Sequence, residues 1–122
     1  MEGQLDLATG VKHDGGKPRM DLLSAISLEE IAKVMTVGAK KYGDHNWRGG
    51  ILWSRVFGAL LRHAFAYWRG EDKDPETGLS HMAHCGCCVM FLLEYAHSHK
   101  ELDDRYGAKH ETNETNRDAL PY

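Results

Sequence analysis

The sequence predicts an all-α fold, built as a small helical bundle of three main helices. Three segments place apolar residues at helical spacing, no segment shows the strict alternation of a half-buried strand, and loops containing Gly, Asp, Asn or Pro separate the segments. With 122 residues, a single domain is the expected organisation. We divide the chain into an irregular basic arm (1–23), a helical core (24–104) and a frayed polar tail (105–122).

The first helix is predicted to begin at a capping box. In Ser27-Leu28-Glu29-Glu30 a hydroxyl at the cap is followed three residues later by a carboxylate. Apolar residues then recur at helical spacing as far as Ala39, with charged residues on the opposite side. Gly43 is the expected end of this helix, since glycine readily adopts the backbone conformation of a helix terminus.

The second and third helices are expected after two polar loops. Ser54 is the predicted cap of the second helix, which runs to Arg69. The third helix is predicted to begin near Ser80 and to run past Glu94 towards residue 104. The apolar faces of these two helices exceed what one short bundle can cover, which predicts a homo-oligomer.

Composition narrows the partners and the location. A net charge of −3 argues against general nucleic-acid binding, because such domains are usually basic. No apolar run reaches the roughly 20 residues that cross a bilayer, and the N-terminus has no signal-peptide pattern. Three cysteines crowd into positions 85–88, which suits a reducing compartment better than a disulfide framework. We therefore expect a cytoplasmic protein without a membrane partner.

The segment RGEDKDPETGLSHMAH (69–84) carries the densest set of reactive side chains. Glu71, Asp74 and Glu76 offer oxygen ligands of the kind that hold Mg²⁺ against phosphates. His81 and His84 are three residues apart and leave the same helical face, so they can add a ligand or accept a proton. A solvated loop before a core helix explains the same acids equally well. A zinc site built on the histidines and nearby cysteines is the less favoured reading.

Basic side chains elsewhere predict contacts with an anionic substrate. On the second helix Arg62 and the adjacent His63 are expected substrate contacts, since a guanidinium suits phosphate oxygens. In the arm, cationic side chains flank a Gly-Gly pair whose backbone can approach a phosphate; they are Lys12, Lys17 and Arg19. Trp47 in a glycine-rich loop can stack on a nucleobase or anchor the core.

Several motifs occur in a fixed order between residues 11 and 96: Lys-x-Asp-Gly-Gly-Lys, Lys-Tyr-Gly-x-x-Asn-Trp, Arg-His, Gly-Glu-Asp and His-x-x-His. In this order the chain resembles the phage and prophage dATP/dGTP diphosphohydrolases in their N-terminal domain. The resemblance implies a nucleotide ligand and release of pyrophosphate from a purine deoxynucleoside triphosphate. It also adds Asp14 and Asn46, which stand in these motifs, to the expected substrate contacts.

The all-α pyrophosphohydrolases of the MazG type are a further point of similarity. They hold magnesium with Glu-x-x-Glu and Glu-x-x-Asp pairs on facing helices. In this chain Glu30 is followed three residues later by Lys33, so the first pair is absent. The second pair occurs as Glu71 and Asp74, within a predicted loop, and again as Glu101 and Asp104.

Two functions fit these features. The favoured one is metal-dependent hydrolysis of a purine deoxynucleoside triphosphate to the monophosphate and pyrophosphate, with Mg²⁺ or Mn²⁺. Its catalytic residues would be Glu71, Asp74 and His81. Its metal ligands would be Glu71, Asp74, Glu76 and His84. The alternative is a binding protein that sequesters a nucleotide or nucleotide signal without cleaving it, as an anti-defence protein would.

Overall fold

A computed structural model describes residues 7–108, and within that range the chain is all-α, as predicted. Its helices are α1 (Ala25–Tyr42), α2 (Trp53–Trp68) and α3 (His81–Ser98). Three short 3-10 turns accompany them, at Met20–Leu22, Asn46–Gly49 and Lys100–Leu102. Most of the predicted polar tail lies outside the described residues.

The third helix is the centre of the bundle. It packs against α2 and, less extensively, against α1. One core cluster joins α2 to α3 around Trp47, Val56, Cys88 and the fully buried Tyr95. The Tyr95 hydroxyl donates a 2.6 Å hydrogen bond to the carbonyl of Trp47, which fixes the loop between α1 and α2 onto α3.

The second core cluster joins α1 to α3. It is built from Val34, Ala83 and Cys87, with Met35 packed against it. Cys87 directs its thiol at the Met35 sulfur, 3.2 Å away, and burial raises the pKa of this thiol to about 12. Burial likewise raises the pKa of Cys88 to about 11. These two cysteines are therefore protonated, buried apolar groups at neutral pH, as expected for thiols inside a core.

The first helix begins three residues earlier than predicted. Ser24, in extended conformation, is the cap, and its hydroxyl accepts a 3.2 Å hydrogen bond from the amide of Ser27. The expected cap at Ser27 is therefore wrong, because another serine hydroxyl lies one turn upstream and caps the helix without a capping-box carboxylate. Gly43 ends the helix as predicted, with a φ of 96° that favours glycine.

The start of α2 also differs from the prediction, and the reason is a tertiary contact. Ser54 lies inside the helix rather than at its cap. Its amide and its hydroxyl both donate to the Asp104 carboxylate, at 2.9 and 2.5 Å. A carboxylate from 50 residues away thus satisfies the free amide that a local cap would otherwise serve.

The third helix begins where the sequence indicates and ends earlier. The Ser80 hydroxyl accepts from the amides of Met82 and Ala83, which is the arrangement of an N-terminal cap. The helix stops at Ser98 because His99 has a non-helical backbone. The predicted continuation towards residue 104 is therefore replaced by the 3-10 turn at Lys100–Leu102.

Candidate functional site

Three histidines meet where α2 faces the start of α3. His63 comes from α2, and His81 and His84 come from α3. The Nδ1 atoms of His63 and His81 are 2.8 Å apart, and the rings of His63 and His84 stack with centroids 4.2 Å apart. The antiparallel packing of the two helices therefore produces an imidazole cluster that neither helix carries alone.

The loop between α2 and α3 folds back over this cluster. The amide of Asp74 donates to the carbonyl of Leu79, and the amide of His81 donates to the carbonyl of Asp72. Gly78, at a φ of 73°, makes the tight turn that these bonds require. The fold-back places the acidic loop residues beside the first turn of α3.

Glu71 contacts the buried histidine of the cluster. Its Oε1 lies 2.7 Å from Nε2 of His81, which is only 3% exposed. A carboxylate accepts hydrogen bonds, so Nε2 of His81 carries the proton and donates it. In the neutral ring, Nδ1 of His81 then has a lone pair directed towards His63.

Thr77 links Asp74 to the third histidine. The Thr77 hydroxyl is 3.1 Å from Oδ2 of Asp74 and 2.9 Å from Nε2 of His84. It donates to the carboxylate, so it accepts from His84 and from the amide of Leu79. The backbone amide of Thr77 also donates to Asp74, at 3.2 Å. This network holds the Asp74 carboxylate and the His84 ring in fixed orientations.

The electrostatics of the cluster favour neutral imidazoles at His63 and His84 beside an ionised Asp74. Burial lowers the pKa of His63, and the positive charge of a neighbouring protonated histidine would lower it further. Burial is also the main cause that lowers the pKa of His84. For Asp74, burial acts to raise the pKa, but the hydrogen bonds from Thr77 and the charges of His84 and His63 together lower it by more. Neutral imidazole and ionised carboxylate are the forms that bind a metal ion.

Three side chains of the site could hold one ion together. His63, Asp74 and His81 each offer a ligand atom, and these atoms lie within 4.8 Å of one another. Two of the residues are half-buried and His81 is buried, so the donors are held by the packing of α2 and α3. Two nitrogens and a carboxylate form a donor set that divalent metal ions use in proteins.

Several residues that the sequence singled out are brought together here. Two carboxylates of the loop and the three histidines of α2 and α3 lie in one connected cluster. They are Glu71, Asp74, His63, His81 and His84. Arg62 is exposed on α2 next to His63. Glu76 is exposed on the loop, outside the three-residue donor group, and its charge acts on His84.

The predicted substrate-binding residues of the N-terminal arm and of the loop between α1 and α2 share no hydrogen bond or ion pair with the histidine cluster in the described chain. Lys12, Asp14 and Lys17 are exposed, and within residues 7–108 no hydrogen bond or ion pair joins them to the cluster. Arg19 pairs with Asp21 at 2.7 Å, and Asn46 is exposed at the start of a 3-10 turn. Their contact with a substrate stays a prediction.

Trp47 occupies the core rather than a binding surface. It is 7% exposed, its ring stacks on Phe91 with centroids 4.5 Å apart, and the Arg48 guanidinium lies over the ring. A nucleobase needs an accessible aromatic face. The expected stacking of a base on Trp47 is therefore corrected: this residue is the core anchor that the sequence left as the alternative.

One residue of the site was not identified from the sequence. Thr77 joins Asp74 and His84, yet a single threonine in a loop carries no metal-ligand signal of its own. The available signal was the spacing in Asp74-Pro-Glu-Thr77, since an aspartate side chain often accepts from backbone and hydroxyl groups a few residues on.

The fold and the site define an α-helical protein with a histidine–carboxylate centre between two helices and their connecting loop. The sequence profile described as "dATP/dGTP diphosphohydrolase, N-terminal" matches residues 8–105. The chain therefore belongs to the dATP/dGTP diphosphohydrolase N-terminal family. No solved structure matches it significantly.

A curated relative supports the same assignment. The chain is 37% identical over 97 residues to a protein of Salmonella phage PMBT28 named dATP/dGTP diphosphohydrolase. The match covers 80% of this chain and 33% of the phage protein, so the chain spans about a third of the relative's length. Across residues 7–108, no helix has both the length and the apolar character that crossing a bilayer demands.

Proposed function

We propose that this protein hydrolyses a purine deoxynucleoside triphosphate to the monophosphate and pyrophosphate, with a divalent ion, Mg²⁺ or Mn²⁺, at the histidine–carboxylate site. The observation that carries the proposal is the convergence of His63, Asp74 and His81 within 4.8 Å. Membership of the family supports the nucleotide as ligand. A divalent ion bound here would neutralise phosphate charge and lower the pKa of a bound water.

Other side chains of the site are proposed to hold the metal ligands in place and to bind the phosphates. Asp74 is positioned as a carboxylate ligand by its hydrogen bonds from Thr77. Glu71 is positioned to orient the ring of His81, because the two are joined by a 2.7 Å hydrogen bond. Arg62, exposed beside His63, is the guanidinium available for the phosphate oxygens. The arm residues Lys12, Lys17 and Arg19 are proposed to close over the same polyphosphate.

The reaction is tested by product analysis with a pair of matched variants. Purified protein is incubated with each deoxynucleoside triphosphate and Mg²⁺ or Mn²⁺, and the products are separated by ion-exchange chromatography. We expect a purine monophosphate and pyrophosphate. Asp74→Asn should lower kcat/KM by about 100-fold or more, since it removes a charged ligand. Asp72→Asn, two residues away with an exposed side chain, should leave it within about two-fold.

Nucleotide sequestration is the second candidate, and one observation favours it. The activity in the phage relative's name belongs to a protein of which this chain matches about a third. A domain of this kind could bind the nucleotide or a nucleotide signal and leave cleavage to another part. In the same experiment this candidate predicts intact nucleotide that stays with the protein until the protein is denatured. Rapid release of intact nucleotide with no products would contradict both candidates.

The proposal also includes the setting in which the protein acts. We propose that it works in the cytoplasm of a phage-infected or prophage-carrying cell, supported by its similarity to a phage protein and by three unpaired cysteines. Assembly as a homo-oligomer is supported by apolar side chains that α2 leaves exposed.

A further inference from the structure

The hydrogen bonds of His81 decide which of its atoms can bind an ion. Its Nε2 donates to Glu71 at 2.7 Å and is therefore occupied. Its Nδ1 is the remaining nitrogen, and it faces Nδ1 of His63 at 2.8 Å. Two imidazole lone pairs at this distance repel each other unless a proton or a cation lies between them. The packing thus places Nδ1 of His63 and Nδ1 of His81 side by side, where both can bind the same cation.

We propose that this site selects a first-row transition metal ion over Mg²⁺, with Glu71 as a positioning residue behind His81 rather than a metal ligand. The ligands are Nδ1 of His63, Nδ1 of His81 and a carboxylate oxygen of Asp74. This inference deepens the proposed function and rests on its metal site. It replaces the sequence-based ligand set of Glu71, Asp74, Glu76 and His84.

Donor chemistry is the argument for this selection. Mg²⁺ prefers oxygen ligands and keeps several of its waters, whereas imidazole nitrogen suits the transition metals. Two of the three donors here are imidazole nitrogens, and they come from two different helices. Mg²⁺ would have to exchange water oxygens for both nitrogens, whereas Fe²⁺ and Co²⁺ accept the set more readily. Mn²⁺ binds most weakly in the first-row series, and it serves as the paramagnetic probe.

The spacing of the two nitrogens allows both of them to reach one ion. With metal–nitrogen bonds of about 2.1 Å, neighbouring ligand atoms are about 3.0 Å apart around a six-coordinate ion and about 3.4 Å apart around a tetrahedral one. The observed 2.8 Å is the length of a hydrogen bond between the two rings, and a small separation of the rings reaches the six-coordinate value. The choice among metal ions therefore rests on the donor atoms.

The role of Glu71 follows from the atom it contacts. A histidine that binds a metal through one nitrogen usually donates its other N–H to a carboxylate or carbonyl. Such an outer carboxylate fixes the tautomer and the ring orientation, and makes the ligating nitrogen more basic. Glu71 makes this contact with a buried histidine, while its own carboxylate stays half-exposed.

The selection is tested by metal binding to the wild-type chain, without nucleotide. After removal of metal with EDTA, the protein is titrated with Mn²⁺ and the free ion is followed by electron paramagnetic resonance. We expect one Mn²⁺ per chain, bound about 100-fold or more tightly than Mg²⁺ measured by competition, with nitrogen hyperfine coupling in the pulsed spectrum. Equal affinity for Mg²⁺, or a Mn²⁺ complex without nitrogen coupling, would overturn the proposal.

The role of Glu71 is tested with Glu71→Gln beside the matched control Glu76→Gln. Glu71→Gln should weaken Mn²⁺ binding by about 10- to 100-fold while the nitrogen coupling persists, since the ligands are unchanged. Glu76→Gln should bind like wild type. If Glu76→Gln weakens binding as much as Glu71→Gln does, the acidic loop supplies the ligands and the proposal is wrong. An unchanged affinity in Glu71→Gln would equally count against it.

These outcomes separate the inference from the proposed function. Tight, nitrogen-coordinated Mn²⁺ without any nucleotide hydrolysis would leave the metal site standing and remove the enzymatic proposal. Hydrolysis that proceeds with Mg²⁺, in a chain that does not prefer Mn²⁺, would keep the enzyme and remove the inference.

Discussion

At the scale of single residues, one hydroxyl controls the orientation of two site groups. The Thr77 hydroxyl donates one hydrogen bond to Asp74 and accepts two, from His84 and from the amide of Leu79. It therefore makes every hydrogen bond that a hydroxyl can make. Burial acts to raise the pKa of Asp74, and the hydrogen bonds from Thr77 are among the causes that bring it below its ordinary value. Removing the hydroxyl should therefore change the geometry and the charge of the site together.

Substitution of this threonine gives the first prediction. Thr77→Val keeps the shape but loses the hydroxyl, and we expect it to lower the free energy of unfolding by about 1–2 kcal/mol, because partners are left unsatisfied. It should also raise the pKa of Asp74. On acidification, Mn²⁺ binding should therefore be lost at a higher pH than in wild type. Urea unfolding and a pH series of Mn²⁺ titrations measure the two effects.

Thr77→Ser is the matched control for this experiment. Serine retains the hydroxyl, so metal binding and its pH dependence should stay close to wild type. If Thr77→Ser behaves like Thr77→Val, the methyl group rather than the hydroxyl matters, and the hydrogen-bond argument fails.

The candidate site was predictable at the level of residue type and less so at the level of role. A loop with several acids before His-x-x-His made Glu71, Asp74 and His81 candidates, because carboxylates and imidazoles are common metal ligands, although a solvated loop explained the same acids equally well. The contact between His63 and His81 depends on how α2 and α3 pack, which spacing along one helix cannot reveal. Trp47 was ambiguous because a loop tryptophan can be exposed or buried, and only the Phe91 contact decides this.

At the scale of elements, His99 fastens the end of α3 to the loop before α2. Its Nε2 faces the carbonyl of Arg48 at 2.8 Å and its Nδ1 faces the Glu101 carboxylate at 2.9 Å. Both partners only accept, so both ring nitrogens must donate, and the ring must be protonated. The His99 carbonyl meanwhile accepts from the indole of Trp53, which adds the first residue of α2 to the junction.

This junction predicts a pH-dependent contribution to stability. The hydrogen bond to Glu101, and then that to Arg48, raise the pKa of His99 above its ordinary value of 6.5. Because the pKa of His99 is higher in the folded chain than in the unfolded chain, protonation of His99 stabilises the fold. This stabilisation is fully present when the pH is below the pKa of the unfolded chain, and it is lost as the pH rises through the pKa of the folded chain. The difference in Tm between wild type and His99→Gln should therefore be largest in mild acid and shrink in mild base.

Comparing wild type with His99→Gln cancels the pH dependence of stability that comes from other histidines. Burial lowers the pKa of His63 and His84, so those residues make wild type less stable as pH falls, and they act equally in the variant. Thermal unfolding is measured at several pH values on both sides of the ordinary histidine pKa. A Tm difference that stays constant with pH would show that His99 acts as a neutral ring.

The helices themselves and the start of α3 at the Ser80 cap were predictable, whereas the starts of α1 and α2 were not. Periodic apolar residues and glycine stops sufficed to place three helices and the end of α1 at Gly43. The start of α2 escaped prediction because Asp104 serves its free amide through the fold rather than through local sequence. Local patterns therefore determine which segments are helical. Local serine caps determine where α1 and α3 begin, and a tertiary hydrogen bond serves the start of α2.

At the scale of the whole molecule, α2 leaves an apolar face without a partner in the described chain. Phe57, Phe65 and Trp68 are 50%, 56% and 86% exposed. With Leu61 they recur every three or four residues, and therefore lie along one side of the helix. The buried residues Val56 and Ala66 mark the opposite side, which packs on α3. Soluble monomers seldom expose a continuous aromatic stripe of this kind.

The expected homo-oligomer gives the final prediction. Size-exclusion chromatography with light scattering should yield a mass of more than one chain for wild type. Trp68→Glu should reduce that mass towards one chain, because a charge in an apolar interface is strongly unfavourable. Leu28→Glu makes the same chemical change at an exposed position of α1 and should leave the mass unchanged. Equal dissociation by both variants would move the interface away from α2, and a wild type of single-chain mass at every concentration would show that this face serves another purpose.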